Sequence, residues 1–149
     1  MFYMELDNEQ VKRLLQDEYN VIFSSEAIDW IEDEISCYDC ECRGIPIFDV
    51  DLITDRYVEC SLLKFFEEAY LNFEDLDFLD EEDIYQIFGS YIPDYTDAES
   101  YLKDDSNFYL TIKSLSYYEL KNLIESYCDY VGMNYLMLEH GDIVFDVEY

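Results

Sequence analysis

The cysteines come nearest to a metal site. "CYDCECRG" supplies Cys37, Cys40 and Cys42, and Cys60 lies further on. Zinc needs thiolates gathered by a tight turn, and a Cys-x-x-Cys knuckle provides one half of such a site. The other half is missing, because Cys42 is one residue too close to repeat the knuckle and Cys60 stands alone. Reduced thiols are the better reading, and elemental analysis of purified protein decides between the two. Calcium loops fail as well. An EF-hand wants acids at its first, third and fifth positions, Gly at the sixth and Glu at the twelfth. Counting from Asp75, the last three of these are Leu79, Asp80 and Gln86; from Asp49, the fifth is Ile53 and the twelfth Cys60. The single histidine, His140, falls in an expected hairpin turn, and no motif joins it to Ser116 or Cys128 as a triad. There is no Gly-rich phosphate loop and no H-E-x-x-H. With 37 acidic residues, no one pair is singled out for acid–base work. The expectation is a protein that is not an enzyme and has neither cofactor nor metal site.

What the chain carries in excess is carboxylate. "FEDLDFLDEEDIYQIF", residues 73–88, holds seven acids and no base. Across residues 65–102 there are twelve acids and no Lys or Arg. Like charges at this density repel and oppose compaction. On a helix, acids three or four residues apart stand about 5–6 Å apart, which is of the order of the spacing between neighbouring phosphates on a nucleic-acid strand. Glu67, Glu68, Glu74, Asp75, Asp77, Asp80, Glu81, Glu82 and Asp83 form the densest candidate row. Glu26, Asp29, Glu32 and Asp33, continued by Glu34, form a second. These are the candidate partner-binding residues.

The elements that carry them are mostly helical over the first hundred residues. "DNEQVKRLLQDEY" opens with Asp7 and Gln10 in capping-box spacing, followed by Val11, Leu14 and Leu15. "SSEAIDWIEDEIS" puts Ala27, Ile28, Ile31 and Ile35 on one face. Residues 37–56 read as a loop with a short strand. Leu62, Phe66, Ala69, Tyr70 and Phe73 predict a helix over about 58–72. A short helix over 81–88 takes Asp80 as N-cap and Gly89 as terminator. "TDAE" at 96–99 reads as another capping box. After that, "NFYLTIK" alternates like a strand, "SYYELKNLIESYCDYVG" is a helix capped by Ser116 and Glu119, and "MNYLMLEHGDIVFDVEY" is two strands about His140 and Gly141. The expected architecture is a single acidic α+β domain, 1–149, with a helical part over about 1–104 packed with a β-α-β-β unit over about 106–149.

Half of the 149 residues are hydrophobic and 18% aromatic, which places the chain with folded proteins despite its charge. Eight basic against 37 acidic residues leave −29, far beyond the magnitude of about 2–8 that solubility asks of a small domain. A compact chain of this length is about 38 Å across, and the same length of duplex holds on the order of 22 phosphates. The charge density matches that of DNA. Nucleic acid and anionic membranes are excluded as partners, and a basic protein surface is favoured. No window approaches a membrane span of roughly 18 apolar residues, and "MFYMELDNEQ" lacks the basic start and apolar run of a secretory signal. Five cysteines, an odd number, suit reduced thiols in a cytoplasm. Sixteen tyrosines, with rigid rings and polar tips, suit an interface.

In this composition, and in runs such as "WIEDEI", "FEDLDFLDEED" and "LKDDSN", the chain resembles the acidic DNA-mimic proteins of phages and mobile elements, which include anti-CRISPR and anti-restriction proteins. The resemblance implies an inhibitor in the bacterial host cytoplasm that docks in the basic nucleic-acid-binding groove of a defence nuclease, first of all a CRISPR effector. An anti-restriction protein, or an immunity protein neutralising a basic nuclease toxin, is the alternative.

Overall fold

A computed structural model describes residues 3–4, 7–35, 48–94 and 96–148. Among these are eight α-helices and a small three-stranded antiparallel sheet, an α+β architecture that is mostly helical. The chain divides into two compact units, Met1–Cys60 with Asn134–Tyr149, and Ser61–Met133.

In the first unit, β1 (Tyr3–Met4) pairs antiparallel with β2 (Phe48–Asp49). Helix α1 (Asn8–Glu18) starts at the expected capping box: the Asp7 carboxylate accepts from the Gln10 amide, and the Gln10 side chain accepts from the Asp7 amide. It buries Val11 and Leu15. Helix α2 (Ser25–Ile35) buries Ala27, Ile28, Ile31 and Ile35, the face its periodicity predicts. Residues 50–56, expected as loop, are instead a helix, α3 (Val50–Arg56), which buries Val50 and Ile53. The helix expected from residue 58 begins later, because Tyr57–Cys60 form strand β3. Strands β4 (Tyr135–Met137) and β5 (Ile143–Asp146) make the expected hairpin. The sheet order is β3-β5-β4, with Tyr57 opposite Asp146 and Cys60 opposite Ile143. One of the sheet's two edge strands, β3, thus comes from mid-sequence. One apolar cluster joins α1, α2 and α3 to Tyr57, Leu138 and Val144.

The second unit is helical. Ser61 caps α4 (Leu62–Glu68), which buries Leu62, Phe65 and Phe66. A 3₁₀ turn, Phe73–Leu76, follows under an Asn72–Asp75 capping box. Helix α5 (Glu81–Phe88) has the expected Asp80 cap, and it buries Ile84 and Phe88. Gly89 ends it by running into a second 3₁₀ turn, Gly89–Tyr91, with φ −55°. What Gly89 supplies is space, since a Cβ there would stand 3.3 Å from the Tyr85 ring. Helix α6 (Ala98–Leu102) is capped by Asp97, one residue beyond the expected Thr96. "NFYLTIK" is not a strand: it lies in α7 (Asp105–Ser114), capped by Asp104. Phe108, Thr111 and Ile112 are buried while Tyr109 and Leu110 are exposed, so the 3.6 period prevails over the alternation. Helix α8 (Tyr117–Val131) has the expected Ser116–Glu119 box and ends at Gly132, left-handed with φ 78°. Phe108 meets Phe66 and Phe73 edge-to-face, and Phe65 meets Tyr127 likewise.

Candidate partner-binding surface

The expected acidic rows lie on different units. On the second unit, Glu67 and Glu68 occupy the last turn of α4, Glu74 and Asp75 the following 3₁₀ turn, and Asp77 its C-cap. Asp80 caps α5, and Glu81, Glu82 and Asp83 fill its first turn. Seven of the nine side chains are exposed; Asp75 and Asp83 are half-buried. Their helices bury Phe65, Phe66, Phe73, Leu76, Ile84 and Phe88 on the other side. One segment therefore presents acid outward and aromatic or aliphatic bulk inward.

The acids of this row are not equivalent. Asp80 accepts from the Asp83 amide at 2.8 Å, and Asp83 from the Asp80 amide at 3.3 Å. Asp75 accepts from the Asn72 amide at 2.8 Å. Those three carboxylates hold helix ends together. Glu81 and Glu82 sit where the positive end of the α5 dipole favours them, and Glu82 accepts a long 3.4 Å bond from Gln86. Glu67 and Glu68 stand at the negative end of α4, whose last turn has no basic residue. Local stability alone would not choose acids there. The Tyr109 hydroxyl donates to Glu67, and this bond, with the carboxylate charge, pushes the tyrosine pKa up. Beside Glu81 and Glu82, an open concavity of about 620 Å³ is lined by Asp80, Tyr85 and Gln86, with Tyr85 71% exposed.

The α2 row is woven more deeply into its unit. Glu26 accepts from the Glu139 amide at 3.0 Å, and Asp29 accepts from the Asn8 side chain. Burial, then the neighbouring Asp29 and Asp33 charges, push the Glu32 carboxyl above its ordinary range. Asp33 is exposed and Glu34 half-buried. This row looks inward as much as outward.

His140 does more than occupy a turn. Its Nε2 lies 3.5 Å from Glu59 and 3.4 Å from Asp142, and the second oxygen of Glu59 accepts from the Ser24 amide at 2.6 Å. The histidine links the hairpin turn to β3. The zinc question falls mostly on Cys37, Cys40 and Cys42, which lie outside the described residues. Cys60 is half-buried, and among the described residues no group of three His, Cys, Asp or Glu side chains is arranged to hold a metal ion.

Sequence reasoning gave the tyrosines as a class to an interface but did not single out those that accompany the acids. Tyr70 is 90% exposed at φ 54°, at the end of α4. Glu119, expected only as a capping partner, has a carboxylate that accepts from the Tyr91 hydroxyl at 2.7 Å as well as from the Ser116 amide at 2.9 Å. Those bonds, the tyrosine's first, hold Glu119 below the usual carboxylate range. The capping-box spacing already pointed to Glu119; nothing local pointed to Tyr91. Among the described residues, no helix is long and apolar enough to cross a membrane. No family model, curated protein or solved structure matches the chain.

Proposed function

We propose that this chain is a DNA mimic that occupies the basic nucleic-acid-binding groove of a bacterial defence nuclease, foremost a CRISPR effector, and so blocks DNA binding. The observation that carries the reading is the stretch 65–102, with twelve acids and no base, its exposed carboxylates backed by a buried apolar side. A solvated face made for solubility alone needs far less charge, and would not keep Glu67 and Glu68 against a helix dipole. On this reading the protein acts by occupancy, without catalysis or cofactor. Its field attracts a groove of Lys and Arg over a Debye length, and its carboxylates then take the places of phosphates. In a CRISPR effector the matching surface is the one that reads the short flanking motif and holds the separated strands.

The test is a competition assay between this protein and target duplex for a guide-loaded effector. Inhibition should be overcome by excess duplex and should weaken as salt rises. Reversing Glu68, Glu81 and Glu82 to Lys, with the capping acids Asp75, Asp80 and Asp83 left in place, should weaken inhibition roughly tenfold or more, from exposed contacts of about 0.5 kcal/mol each. The folding midpoint should hardly move. Inhibition of a restriction endonuclease or a nuclease toxin in place of the effector would reassign the partner to an alternative class. Failure to compete with DNA on any basic nuclease would end the proposal.

A further inference from the structure

A groove of about 330 Å³ lies between the end of α4 and one face of α7. Its lining is mostly apolar: Phe66, Phe108 and Ile112 are buried beneath it, with Leu71 half-buried beside them. Five exposed residues complete the lining, Glu67, Tyr70, Asn72, Asp105 and Tyr109. The size falls near the lower end of the roughly 300–1,000 Å³ of small-ligand clefts, enough for one long side chain but tight for a nucleotide.

The mouth is built in a particular way. Helix α4 closes with the Leu71 amide bonded to the Phe66 carbonyl at 2.8 Å and Tyr70 left-handed. Glycine is the usual residue at that position, because a side chain there costs about 1–2 kcal/mol. Here a tyrosine takes the strained position and projects almost wholly into solvent. The Glu67 carboxylate, held by the Tyr109 hydroxyl, retains lone pairs for a second donor. Asp105 adds a further negative charge at the lining.

We infer that this groove receives an arginine side chain of a partner protein, its methylene stem over Phe66, Phe108 and Ile112 and its guanidinium between Glu67 and the rings of Tyr70 and Tyr109. An apolar bed suits the stem, a carboxylate suits the charge, and the tyrosine rings, Tyr70's largely exposed and Tyr109's with Lys113 Nζ already 6.0 Å from its centroid, suit a flat cation better than a compact ammonium. DNA has no such feature. The groove therefore goes beyond charge mimicry, and it stands or falls separately.

The full-length protein, labelled at isoleucine methyls, is titrated with N-acetyl-arginine amide, N-acetyl-lysine amide and the neutral isostere N-acetyl-citrulline amide, and the Ile112 methyl is followed by NMR. The arginine probe should shift it saturably, and the lysine and citrulline probes should bind several-fold more weakly. Tyr70→Gly should weaken the arginine probe roughly two- to fivefold, the range of an exposed cation–π contact, while the variant folds at least as stably. A merely structural tyrosine would show neither. Glu67→Gln should reduce the preference for arginine over citrulline several-fold, the remainder being the attraction of Asp105 and the net negative charge. Equal response to citrulline or lysine, or no saturable shift, overturns the assignment. So does a concentration-dependent Ile112 shift without any probe, which would give the groove to a second copy of this chain. No nuclease enters these titrations, so their failure leaves the occupancy of a basic groove standing, and loss of that occupancy leaves this groove standing.

Discussion

Among the described residues Asp146 is the one acid that is fully buried, its side chain 1% exposed. It is answered by Arg56, whose Nε and Nη2 donate to it at 2.6–3.0 Å, and by the Glu148 amide at 2.9 Å. The pair joins the last residue of α3 to the last of β5. Removing one member of such a pair leaves the other desolvated and unanswered. Asp146→Ala should cost about 3 kcal/mol, the lower part of that range because Arg56 is 23% exposed, read as a shift in the urea midpoint. Cys128 gives the contrasting case, a buried group with no charge to meet. Burial, then the Asp129 and Glu125 charges, push its thiol up to about 12. It should resist iodoacetamide at pH 8 until the protein unfolds. In the unfolded chain the thiol ionises near 9. Its contribution to stability is thus complete below pH 9 and is lost as pH rises from there toward 12. A Cys128→Ala variant, less stable at neutral pH, should lose less further stability over that window; an equal loss would count against the burial of this thiol.

Helix ends decide the next scale up. Asp80 and Asp83 belong to the proposed surface and also bridge the start of α5. Asp80→Ala should lower stability by about 1 kcal/mol. Glu81→Lys with Glu82→Lys should leave it nearly unchanged, since lost dipole interaction and relieved repulsion offset each other. If both changes destabilised equally, α5's acids would be structural as a group. Cap spacing is also why so much was legible beforehand. The starts of α1, α5 and α8 and the buried face of α2 follow from residues three or four apart, a signal contained within a single turn. Strand β3 was not legible, because what selects it is pairing with β5 more than eighty residues away. Helix α7 was misread because "NFYLTIK" satisfies both periods, and the deciding cap, Asp104 with Asn107, sits at its edge. The site divides in the same way. The acids were legible as a charge run, but which were caps and which stood clear was not. The groove beside Tyr70 needed α7 to be a helix before it could exist.

Taken whole, the protein holds two competing demands of one field. The first unit has twenty acidic and four basic residues, a net of −16, and the second has seventeen and four, a net of −13. Neither unit neutralises the other, and the helices α1, α2, α4, α5, α6 and α8 have no basic residue in their last turns. Self-repulsion on this scale opposes folding and is screened by ions, with a Debye length of about 10 Å at 0.1 M and 3 Å at 1 M. Raising NaCl from about 0.05 to 0.5 M should therefore raise the melting temperature by roughly 5 °C or more, equivalent to about 1.5–2 kcal/mol for a chain of this size. The same salt should weaken capture of a basic groove, because the attraction is screened just as the repulsion is. A protein whose acids were dispersed among bases would show neither trend strongly, and one held to its partner by apolar contact would show the first without the second. Calorimetry and a binding titration across one salt series separate these cases. Stability and binding that rise or fall together would mean that the charge is not what the partner recognises.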